Sequence, residues 1–123
     1  MKRYIFLFIF VVFPNHAHDA RPIYLEINEN LHDESNYEVK TKIPNSLNFF
    51  PDVSLPKDCK FDPFPETERG DGFSLRKAQL SCSDTIQGRF ISIVYPKPNP
   101  SLSVLIRTSF RNGEIHSKLL PPE

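Results

Sequence analysis

The residues whose types could do chemistry are His18, Asp19 and His116, and the chemistry is metal binding. If an export leader is cut after Ala17, His18 carries a free α-amine beside its own ring. That pair of nitrogens chelates a soft or borderline divalent ion, and imidazole suits nickel, copper and zinc. The amine titrates at about 8, so part of it is deprotonated at neutral pH. These residues fix no cofactor with certainty; an ion bound here would be nickel or copper, with zinc also suited to imidazole. Two donors make a weak site; Asp19 adds an oxygen, and His32 or His116 adds a nitrogen if folding brings it near. The plainer alternative is that His18 and Asp19 serve only the cleavage site and the first turn. In that case His116, between Ile115 and Ser117, is a solvated strand residue, and His32, beside Asp33 and Glu34, belongs to a solvated loop.

Catalysis finds little to stand on. A nucleophile needs an activating base and a group that orients the base. The sequence has no Gly-x-Ser-x-Gly elbow, no His-Glu-x-x-His and no glycine-rich phosphate loop. Glu66 and Glu68 are paired carboxylates on a proline-rich segment and read as a solvated turn. The expectation is a protein that is not an enzyme. Arg107 lies mid-strand between apolar neighbours. Simple alternation turns it to solvent; otherwise it is an interfacial cation in need of a carboxylate.

The setting for this chemistry comes from the N-terminus. Lys2 and Arg3 precede an apolar run over residues 4–13, followed by Pro14-Asn-His-Ala17. This is the pattern of a cleavable export signal over residues 1–17. The run is about half the roughly 20 apolar residues needed to span a bilayer. Residues 18–123 then form one exported domain, periplasmic or otherwise extracytoplasmic. The chain has 15 basic and 15 acidic side chains, and removing Lys2 and Arg3 leaves 13 against 15. A formal charge of −2 is no footprint for nucleic acid or an anionic membrane. No second long apolar stretch follows, so the exported part is expected to have no transmembrane segment. Its two cysteines, Cys59 and Cys82, form an even pair in an oxidising compartment and read as a disulfide. Closing such a loop stabilises by roughly 3 kcal/mol on the entropic model. A two-thiol metal site is the rival, weakened by the wide spacing and by the absence of a His or further Cys beside either one.

The elements that must position these residues are short strands. Ile23, Leu25 and Ile27 alternate with polar partners, as do Tyr37, Val39, Thr41 and Ile43 before Pro44. Val53 and Leu55 make a short strand between Pro51 and Pro56. Residues 57–72 read as an irregular surface excursion, 73–82 as a strand, and 89–95 as a central strand. Leu102, Val104, Ile106, Thr108 and Phe110 alternate again, and Asn112-Gly113 is a strong hairpin signal leading into residues 114–120. Twelve prolines and four glycines suit strands ended by proline. The expected fold is all-β: an antiparallel two-sheet sandwich of immunoglobulin-like architecture, with about seven short strands and one disulfide pinning its halves.

Four segments together resemble the exported N-terminal region of HupE/UreJ-type membrane proteins. They are Ala17-His-Asp-Ala-Arg-Pro-Ile-Tyr-Leu-Glu-Ile27, Leu55-Pro-Lys-Asp-Cys59, Tyr95-Pro-Lys-Pro-Asn-Pro-Ser-Leu-Ser-Val-Leu-Ile-Arg107 and Leu119-Leu-Pro-Pro122. The specific parts are His18-Asp-Ala-Arg21-Pro22 and Pro98-Asn99-Pro100. The resemblance implies hydrogenase and urease maturation, with nickel or a related metal ion as cargo. In that family transport is attributed to a multi-pass helical domain with intramembrane His and Asp residues. That domain has no counterpart within these 123 residues, so permease activity is not carried over. The implied role is a non-catalytic accessory or interaction domain working beside a multi-pass membrane metal-uptake protein. The alternatives are a small metal-delivery protein built on His18 and a remnant of a permease gene. The first expected outcome concerns export. N-terminal sequencing of the protein recovered from the exported fraction should begin at His18, whereas an intact Met1 or a start elsewhere would remove the His18 chelate.

Overall fold

The two cleanest alternating runs lie side by side at the centre of one sheet. In the computed structural model, which describes residues 21–95 and 100–122, they are β1 (Ile23–Glu29) and β2 (Asn36–Pro44). Their odd-numbered residues from Ile23 to Ile27 and from Tyr37 to Ile43 are all buried, while Tyr24, Glu26, Glu38 and Lys40 on the other face are only half-buried. Seven further strands follow: β3 (Asp52–Ser54), β4 (Cys59–Phe61), β5 (Glu66–Arg69), β6 (Phe73–Cys82), β7 (Ser92–Val94), β8 (Val104–Ser109) and β9 (Ile115–Leu120). The larger sheet runs β4-β6-β2-β1-β8-β9, with β5 following β4 along the same edge of β6. β3 and β7 form a separate two-stranded ribbon.

The ribbon lies over the buried face of the larger sheet, so the two-sheet arrangement is as the alternation required. Val53 and Ile93 pack on a cluster of Leu25, Ile27, Tyr37, Val39 and Leu80. A second cluster, Ile23, Ile43 and Val104, is covered by Phe50, Tyr95 and Leu102, and Ile93 touches both. Tyr37 is fully buried, and its hydroxyl accepts the Ile86 amide at 3.2 Å and approaches the Thr85 hydroxyl at 3.4 Å.

Several details depart from the sequence reading. Nine strands stand among the described residues where about seven were expected. The surplus comes from residues 57–72, where β4 and β5 pair with the long β6 although they show little pattern of their own. The sheet is not wholly antiparallel: β8 joins β1 in parallel, from Ile23 opposite Val104 to Asn28 opposite Ser109. Residues 89–95 supply only the three-residue β7 of the ribbon, not a central strand. Arg89 is drawn away to Asp58, and Phe90 is 95% exposed. The Cys59–Cys82 disulfide is present, but it joins directly opposed residues of β4 and β6. It therefore pins an edge strand within one sheet instead of bridging the two. The hairpin at Asn112-Gly113 is a three-residue loop. Gly113, at φ 90°, takes the left-handed position while its N–H donates to Phe110.

Beside the disulfide, Asp58 accepts from the Arg89 guanidinium, one of these bonds being 2.9 Å, and from the Asp84 amide at 3.2 Å. The Arg89 hydrogen bonds hold the Asp58 carboxyl far below the usual carboxylate range.

Two outcomes follow from this packing. Tyr37→Phe leaves the buried Ile86 amide without its acceptor and should cost about 1–3 kcal/mol in a denaturant titration; an unchanged midpoint would mean that water replaces the hydroxyl. Asp58 has a depressed folded pKa, so its contribution is fully present above the unfolded carboxylate value of about 3.9. It is lost as pH falls below that value toward the folded one. Asp58→Asn should therefore melt below the wild type at pH 7, with the gap closing below pH ~4. A gap independent of pH would show that the carboxylate charge is not what holds Arg89.

Candidate interaction surface

The residues singled out from the sequence scatter. His18, Asp19, Pro98 and Asn99 lie outside the described residues, as does the leader expected over residues 1–17. His116 is exposed on β9, where its ring lies 3.4 Å from the Glu114 carboxylate and edge-on to Phe110. Glu114 is also held by the Gln87 amide at 3.0 Å. His32 sits in the β1–β2 turn, where its backbone N–H donates to Asn30 at 2.8 Å. Among the described residues no group of three or more potential ligands is assembled. The described donors thus do not make a nickel or copper centre by themselves: His116 has one carboxylate beside it and no further ligand.

Arg21 and Pro22 point elsewhere. They lead into the start of the central strand β1, and they border the face the ribbon leaves uncovered. Together with Tyr24, Lys42, Phe73 and Leu75 they border a shallow depression of about 560 Å³. A Cβ on Gly72 would come within 2.7 Å of the Arg21 guanidinium, and Gly72 itself has φ 78°. Glycine is required there by backbone conformation, whereas the Arg21 guanidinium, the far end of an exposed side chain, could move aside for a Cβ. Pro100 precedes Ser101, a non-glycine residue in the left-handed region at φ 54°. Two residues later the Ser103 carbonyl accepts the Ile23 amide at 2.9 Å, which starts the parallel pairing of β8 with β1.

Register turns this uncovered face into two rows. Side chains directly opposite one another in a sheet are neighbours, so the pairings place Leu75, Lys42, Tyr24, Leu105 and Leu119 in one line across five strands. The next line is Glu66, Lys77, Lys40, Glu26, Arg107 and Ser117. One row is mainly apolar and the other mainly charged. None of these residues is buried, and Leu119 is 61% exposed. Lys42 lies 4.2 Å over the Phe73 ring, so its ammonium caps an aromatic at the end of the apolar row. Lys40 meets Glu38 at 3.1 Å, and that hydrogen bond, reinforced by the Glu38 charge, raises the lysine pKa. Arg107 is exposed and lies opposite Glu26, the solvent-facing placement that alternation gave it.

Glu66 and Glu68 are strand residues of β5, not part of a solvated turn. They lie opposite Lys77 and Leu75 and extend both rows. Arg76 was not among the residues singled out from the sequence. It shares the buried phase of β6 with Leu80 and Cys82, stacks 4.3 Å over Phe50, and has a shielded Nε without a hydrogen-bond partner. The usable signal was its even-numbered spacing from Leu80 and Cys82.

Such a surface can bind another macromolecule by shape, apolar contact and matched charge. Its mixture of signs does not suit a polyanion. Among the described residues no helix is long and apolar enough to cross a membrane. No family model matches the chain, and no curated protein matches it.

Proposed function

We propose that this protein is a non-catalytic exported interaction domain that works beside a multi-pass metal-uptake protein of the HupE/UreJ type. The uncovered face of the larger sheet is its docking surface. The observation that carries this reading is the half-exposed row Leu75–Tyr24–Leu105–Leu119, which begins beside Arg21 and Pro22, two of the residues on which the family resemblance rests. A sheet with one face packed and one face wet usually shows polar residues on the wet side. Apolar residues recurring at the same level on β6, β1, β8 and β9 are what a partner would cover. The charged row beside them supplies orientation, since rim charges set register more than affinity. Nickel is the cargo implied for the partner, and the domain would shape access to it without carrying out the transport step.

The test places a photo-crosslinking side chain at Leu105 in cells and, as a control, at Lys57 in the exposed turn before β4. Leu105 should crosslink to a multi-pass membrane protein identified by mass spectrometry, and Lys57 should not. Leu105→Glu should reduce recovery of that partner at least about tenfold, with little change in melting temperature because the side chain is not in the core. Equal labelling from both positions, or capture of soluble proteins only, would remove the reading.

A further inference from the structure

β9 closes one side of the larger sheet, and among the described residues no strand pairs with its outer edge. The hairpin fixes which of its backbone groups are free. The Phe110 amide donates to the Glu114 carbonyl at 2.8 Å, so the Phe110–Glu114 position is hydrogen-bonded. Antiparallel pairs alternate between bonded and non-bonded. His116, Lys118 and Leu120 therefore bond to Thr108, Ile106 and Val104, their register partners. The N–H and C=O groups of Ile115, Ser117 and Leu119 point the other way, toward the open edge.

We propose that the protein forms a symmetric dimer in which β9 pairs antiparallel with β9 of a second copy, about a two-fold axis at Ser117. In this register Ser117 meets Ser117 and each Ile115 meets Leu119 of the second copy. All three outward-pointing residues then fall in hydrogen-bonded pairs. A shift by two residues in either direction leaves one of them without a strand partner. The side chains agree with the backbone. Ile115 and Leu119, 55% and 61% exposed, lie on the same face and cover each other across the junction. On the opposite face Lys118 stands across from His116 of the second copy and diagonal to that copy's Glu114, the carboxylate already beside His116. Pro121, which has no N–H to offer, falls opposite Gly113 in the turn, just past the paired stretch. The occupant is therefore this strand itself: its apolar and charged positions complement their own reflection through Ser117. The dimer does not rest on the docking reading: its hydrogen bonds are made at the β9 edge, although Leu119 and Ser117 also end the two rows of the uncovered face, and Leu105, the crosslinking position, takes no part in it.

Sedimentation equilibrium of the full exported protein tests this. The wild type should approach twice the chain mass in the micromolar range. Ser117→Pro removes an outward N–H that the hairpin does not use, and proline is tolerated on an edge strand in that orientation. It should weaken self-association at least about tenfold, as should Leu119→Lys. Ser117→Cys should form a disulfide-linked dimer on mild oxidation, because bonded pairs across an antiparallel ladder hold Cα atoms about 5.5 Å apart, within disulfide reach. Ile115→Cys should not, because it faces Leu119. If Ser117→Pro fails to fold, Leu119→Lys and the cysteine pair decide. A wild type that stays monomeric at every concentration overturns the proposal. So does a dimer indifferent to Leu119→Lys, or pairing with a strand of a different protein in place of a second copy.

Discussion

Tyr37 is the residue on which the arrangement of layers depends. It stands on β2, next to the middle of the larger sheet, and is wholly buried. A buried hydroxyl without a partner would be costly, and its partners come from Thr85 and Ile86, nearly fifty positions along the chain. That single polar contact fixes the segment after β6 against the sheet. The same segment runs on through Arg89 into β7, whose Ile93 touches both core clusters. The Asp58–Arg89 pair and the Cys59–Cys82 bond hold the chain on either side of it. The small ribbon is thus tied down by its approach as much as by its own two-strand pairing, which would be marginal by itself.

Covering one face commits the other to solvent, and there the molecule divides its surface by level. The same pairings that align the core residues also align what lies behind them. Apolar and charged side chains then sort into separate rows without any contact designed for that purpose. The two rows of the uncovered face are in this sense a consequence of register.

Much of the core could be read directly from the chain. The alternation in β1, β2 and β8, the cysteine pair and the Asn112-Gly113 turn are local signals with local causes. What could not be read was set by distant partners. β4 and β5 are strands because β6 is long enough to accept both along one edge, not because residues 59–61 and 66–69 carry a pattern. Residues 89–95 look like a core strand by composition, yet Arg89 answers to Asp58 and most of the run never joins a ladder. The placement of both cysteines in one sheet, and of Arg107 opposite Glu26, required knowing which strands adjoin. The rows of the uncovered face were illegible for the same reason: Leu75, Tyr24, Leu105 and Leu119 are unremarkable one by one and form a line only after four pairings are fixed. The metal reading rests on His18 and Asp19, and the part of it that could be followed into the fold, His116, stands with a single carboxylate.

The parallel pairing of β1 with β8 has a consequence for how the molecule is made. Its register partners lie roughly 80 residues apart in the chain, a separation that slows folding because the loop must close before the contact rewards it. During synthesis, β1 and β2 emerge long before β8 and leave the β1 edge unmatched. A chain made from its N-terminus would carry that open edge until its last twenty residues, beginning at Val104, had been added. The nascent domain is therefore most vulnerable to wrong pairing before residue 104 has been added.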